Sequence, residues 1–121
     1  MADLAVTPTT FIPKTVATGQ LAAASAILYT VPAGTAFKIV KIIMVNDTTT
    51  AVTATLHLCA DGTGEGPTNY LAVAINVPSD GNLMSVPAAE GHYLNATDTI
   101  EGFASAADQV TYHISGVEES A

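Results

Sequence analysis

The stretch Tyr29–Asp47, YTVPAGTAFKIVKIIMVND, restricts the possible folds more than any other part of the chain. After the turn PAG it is rich in β-branched and aromatic residues, the composition of a strand. Strict alternation places Phe37, Ile39, Ile43 and Val45 on one face, and Val40, Ile42 and Met44 on the other. A strand that is apolar on both faces must be covered on both faces. In a two-sheet sandwich one cover is the domain's own core. The second is expected from an extended arm or from another subunit, and the subunit is favoured because the arm has few large apolar residues. Val40, Ile42 and Met44 are therefore candidate contact residues.

The rest of the chain repeats the strand signal in shorter pieces. Residues 1–20 carry Pro8 and Pro13 among threonines, which reads as an extended N-terminal arm with a short strand near Lys14–Ala17. Phe11 and Ile12 are its one adjacent pair of large apolar residues and the expected anchors of a latch. LAAASA, residues 21–26, is too short for a stable helix and feeds a strand at about Ile27–Val31. Pro32 and Gly34 suit a turn, with Gly34 free to take a positive φ. After NDTTT the alternation is clean. Val52, Ala54, Leu56 and Leu58 oppose Thr53, Thr55, His57 and Cys59; Leu71, Val73, Ile75 and Val77 follow the glycine-rich loop 61–69. Short strands at Leu83–Val86, Thr99–Ala104 and Val110–Ser115 complete the set. About eight short strands separated by turn residues predict an all-β, single-domain antiparallel β-sandwich or jelly roll over residues 21–121, preceded by the arm.

Composition bounds the function. The 121 residues are 49% hydrophobic and only 12% charged, which suits a surface covered by neighbours. Three lysines, no arginine and a net charge of −8 leave no footprint for phosphates, so nucleic acid is excluded and an anionic membrane disfavoured. No apolar run approaches the roughly 20 residues of a spanning helix. Cys59 is the single cysteine, so no internal disulfide is possible. No secretory signal opens the sequence, and synthesis in a cytoplasm is expected.

No residue set supports catalysis. His57 and His113 fall at polar positions of two strands and could lie near one another on a solvated face, with Cys59 on the face of His57. Neither His-x-His nor Cys-x-x-Cys occurs to build a metal site. DGTGEG at 61–66 lacks the alternating ligands of a calcium loop and the lysine of a phosphate loop. Asp98 and Glu101 read as strand-end acids, and the sequons at Asn46 and Asn95 as turns. No cofactor, no metal and no enzymatic activity are expected.

Two segments are similar to known sequences. Residues 29–59, from YTVPAG through the lysine-marked strand, the VN corner and the Thr/Val strand, resemble the opening of small structural proteins of tailed bacteriophages. HYLNATDTIEGFASAADQVTYHISGVEE, residues 92–119, resembles their ending, except that Thr97 stands where a glycine usually precedes the aspartate. The resemblance implies a virion β-sandwich without catalytic residues, favoured as a head decoration or cement protein on the outer surface of the head. Its implied partners are the major capsid protein or other virion proteins, and copies of itself, with a trimer favoured over a dimer. A tail, collar or fibre component of the same fold is the alternative. A carbohydrate-binding sandwich is a further one, disfavoured because the chain has no Trp and its tyrosines (Tyr29, Tyr70, Tyr93 and Tyr112) fall in or beside strands.

Overall fold

The computed structural model describes residues 10–60, 66, 69–79, 81 and 83–120. They form an all-β sandwich of two antiparallel sheets. In chain order the strands are β1 (Thr10–Gln20), β2 (Ala26–Thr30), β3 (Thr35–Asn46), β4 (Val52–Cys59), β5 (Tyr70–Val77), β6 (Leu83–Ser85), β7 (Tyr93–Leu94), β8 (Thr99–Ala104) and β9 (Val110–Ser120). One sheet has the order β1-β9-β3-β6, with β7 also paired to β3; the other has the order β2-β8-β4-β5. Inward side chains of both sheets meet in one core that includes Phe37, Ile39, Ile42, Met44, Leu56, Ile100 and Ile114.

Several local expectations match. The segment after β1 forms no helix: Leu21 is buried, its N–H donates to the Val110 carbonyl at 2.9 Å, and the chain crosses from one sheet to the other. Gly34 has φ +76° in the PAG turn. At NDTTT, the buried Asn46 side chain closes the turn. Its Oδ1 accepts from the Thr48 N–H at 3.1 Å, and its Nδ2 donates to the Thr50 carbonyl at 2.8 Å.

Two expectations change. The arm expected over residues 1–20 is, from Thr10 onward, an eleven-residue strand of the sandwich itself. It pairs antiparallel with β9 from Thr10↔Ser120 to Gln20↔Thr111, so the domain boundary after residue 20 falls inside the fold. Residues 1–9 lie outside the described residues. Pro13 is tolerated because β1 is an edge strand, where a missing N–H breaks little.

The second change concerns β3. Ile39 pairs with Gly116, but the next pair is Lys41 with Ser115, which leaves Val40 as an extra residue in a β-bulge. The bulge shifts the alternation by one. Phe37 and Ile39 point inward before it, and Ile42 and Met44 point inward after it. The strand that alternation alone makes apolar on both sides thus has one continuous core face. The bulge sits where the other edge of β3 changes partner from β7 to β6. There the loop between those strands bonds to the backbone, with Gly91 N–H on the Ile39 carbonyl at 2.8 Å and Val86 N–H on the Ile42 carbonyl at 2.9 Å.

Thr97, the departure from the bacteriophage pattern, has φ +69°. A β-branched residue in that region costs about 1–2 kcal/mol, whereas glycine adopts it freely. Thr97→Gly is expected to raise stability by about 0.5–1 kcal/mol after the extra entropy of the unfolded chain is subtracted. A thermal melt reads this as a rise of a few degrees.

Candidate functional site

Of the five candidate contact residues, three are on the surface. Phe11 is 58% and Ile12 45% exposed, both on β1, and Val40 is 49% exposed at the bulge. Ile42 and Met44 are not available to a partner, because the bulge turns them into the protomer's own core. The outward positions after the bulge are instead Ile43 and Val45, both half-buried.

Val40 borders a shallow groove of about 360 Å³ on the five-stranded sheet, with Pro13, Thr15, Ser115 and Val117 among its walls. The groove runs over β1, β9 and β3, and β1 has no strand on its outer side among the described residues. At that end of the sandwich Glu118 ties the sheets together. Its carboxylate lies 3.2 Å from the Lys14 ammonium and accepts from the Tyr29 hydroxyl at 3.5 Å. Burial, and then the charge and hydrogen bond of Glu118, push the Tyr29 phenol up to about 12.

His57 and His113 are not brought together. His57 lies on β4 of the four-stranded sheet and His113 on β9 of the other. His113 is solvent-exposed as expected, but His57 is fully buried. The Tyr70 ring stacks on it with 4.6 Å between centroids and 30° between planes. Its Nδ1 is 2.7 Å from Asn69 Oδ1, an oxygen that also accepts the Gly66 N–H at 3.0 Å. An amide oxygen can only accept, so Nδ1 carries a proton. Glu101, the cross-strand neighbour of His57, is also buried and accepts from the Thr99 hydroxyl at 2.8 Å. This polar row lies on the outer side of the sheet, and alternation alone reads such positions as solvated. His57 is covered by Asn69 and Tyr70, which the β4–β5 pairing brings beside it.

Among the described residues no group of three or more His, Cys, Asp or Glu side chains could hold a metal ion. Asp61 and Glu65 of the glycine-rich loop lie outside the described residues. No described helix is long and apolar enough to cross a membrane.

A second concavity of about 440 Å³ opens at one end of the sandwich, between β4–β5 of one sheet and β7 of the other. Leu58, Leu71 and Leu94 give it apolar lining, and Tyr70 and Tyr93, 50% and 38% exposed, flank it with Asn95. Both fall in strands as expected, but strand position does not bury them.

No protein-family model and no curated protein matches the sequence. Among solved structures, the chain is similar to one from a study describing Bacillus endospore appendages as a novel family of disulfide-linked pili. The TM-score is 0.53 at 17% identity, with 99% of this chain and 96% of that one covered. The likeness shows a shared fold over the whole length. A chain from infectious bursal disease virus Gx strain aligns with a TM-score of 0.45 at 17% identity, over 91% of this chain and 31% of that one.

Proposed function

We propose that this protein is a non-enzymatic structural subunit of a bacteriophage particle, a decoration protein on the outside of the head that binds and stabilises the shell of major capsid protein. One observation carries the reading. Strand β1 ends the five-stranded sheet with no described strand beyond it, and it exposes Phe11 and Ile12. A long strand edge with large apolar side chains is a template for pairing with another chain. In a particle the neighbouring subunit covers that edge by adding main-chain hydrogen bonds. The groove beside Val40 extends the same surface inward from the edge.

Chemistry supports the placement outside the packaged genome, since a net charge of −8 without arginine repels nucleic acid. The sequence resemblance to tailed-phage structural proteins supports it too. The pilus-like fold does not bring a disulfide-linked fibre with it. A chain with one cysteine bonds one other chain through it and cannot propagate a polymer. A closed homo-oligomer, a trimer ahead of a dimer, is the proposed form.

The test is co-sedimentation with undecorated phage heads. The wild-type protein is expected to bind in hundreds of copies per head. Val40→Asp, and separately Phe11→Ser with Ile12→Ser, are expected to keep the wild-type melting temperature and to bind at least about tenfold more weakly. A dozen or fewer copies per particle would move the protein to the tail or collar. Unimpaired binding by all these variants would remove β1 and Val40 from the interface.

A further inference from the structure

We propose that the cleft between β5 and β7 is a binding site for a neutral saccharide, a function separate from assembly through β1. The cleft lies on the opposite side of β3 from β9 and β1.

Sugar recognition needs rigid aromatic faces for the C–H side of a ring and nearby groups that both donate and accept for its hydroxyls. Both are present. Tyr70 is backed by buried His57, which is itself anchored to Asn69, so one face of the phenol ring is fixed against the protein while half of the residue stays exposed. The buried His57 thereby gains a purpose that neither catalysis nor metal binding gives it. Tyr93, on the other sheet, is steadied by the Lys38 ammonium 5.8 Å from its ring centroid. Two rings held before the ligand arrives lose little rotamer freedom on binding.

Asn95 supplies the polar contact. It begins a tight turn in which the Asp98 carboxylate accepts its N–H at 2.9 Å and its carbonyl accepts the Asp98 N–H at 3.1 Å. The turn fixes the backbone from which the amide side chain projects beside the cleft. An amide offers a donor and an acceptor together, the pairing that adjacent hydroxyls require.

Charge selects the ligand class. No lysine is among the described residues lining the cleft, Asp98 is, and the chain carries −8 overall. This balance favours neutral over phosphorylated, sulfated or sialylated ligands, with Lys38, held against the Tyr93 ring, as the nearby opposing charge. A volume of about 440 Å³ takes a short saccharide and lies in the ~300–1,000 Å³ range of small-ligand pockets.

The experiment is an amide-resolved NMR titration of the intact protein with maltose, cellobiose, lactose and diacetylchitobiose, and with sialyllactose as the charged control. At least one neutral disaccharide is expected to give saturable shifts, in the millimolar range, centred on residues 70–71 and 93–98. Tyr93→Ala and Asn95→Ala are each expected to weaken that binding at least about tenfold with unchanged melting temperature. Tyr70→Ala should act likewise, and because it also uncovers His57 the other two variants decide. The proposal is overturned if no neutral disaccharide shifts these residues, if sialyllactose binds as well, or if both deciding variants bind like the wild type. Binding to phage heads through β1 is measured separately, so either reading can fail without the other.

Discussion

Ile42→Asp is expected to yield no folded protein. Ile42 is 1% exposed and packs in the core shared by the two sheets. An unpaired carboxylate there costs several kcal/mol, and the lost aliphatic packing adds about 2–5 kcal/mol. Together these match the ~5–15 kcal/mol that holds a domain of this kind together. Far-UV circular dichroism and solubility on expression check it. The contrast with Val40→Asp, two residues away on the same strand and expected to fold normally, is the sharpest test of the bulge. With strict alternation the two side chains share a face and the two variants behave alike. A soluble Ile42→Asp protein with a cooperative melt would show that β3 has no bulge at Val40.

The second large effect is expected at Gly116. This residue lies in the middle of β9, between Lys14 of β1 and Ile39 of β3, and faces the core. A Cβ there would run into the Lys38 carbonyl oxygen and come within 2.7 Å of Phe37 Cζ. The Phe37 ring is fully buried and fills the space that a side chain at 116 would need. The other obstacle is backbone, which cannot yield without opening the β3–β9 ladder. Gly116→Ala is expected to cost about 3 kcal/mol, or roughly 10–15 °C in Tm, and Gly116→Val to prevent folding. A wild-type melt for Gly116→Ala would mean that β9 and β3 are farther apart at this level than the structure places them.

Most of the strands were legible in the sequence, because a strand with one buried face writes its period into its own residues. β4 shows this with Val52, Ala54 and Leu56 buried in the core. Turns were legible for the same local reason: Pro32 and Gly34 carry their dihedral preferences with them, and Asn46 closes its turn with atoms four residues away or fewer. Phe11 and Ile12, the adjacent apolar pair of the N-terminal segment, are both exposed on β1.

What alternation could not supply was anything decided by a partner distant in sequence. The bulge at Val40 exists because β3 meets β9, some seventy residues later, on one edge and the β6–β7 connection on the other. No period in residues 35–46 announces a skipped residue, so Ile42 and Met44 were placed on the wrong face. β1 reads as an extended arm with only a short strand because threonine and proline are sparse in core side chains, but its hold on the sheet is main-chain pairing with β9, which leaves little trace in side-chain composition. His57 sits at a polar position of β4 and would be solvated on an isolated strand. It is buried because Asn69 and Tyr70 arrive beside it across the β4–β5 ladder. The sequence by itself determined the all-β class, the turns and most of the core, since those follow from local period and dihedral preference. Only the tertiary structure decided which face of β3 is buried, where the sandwich begins and which tyrosines border a cleft, since each of these depends on contacts that close over long loops.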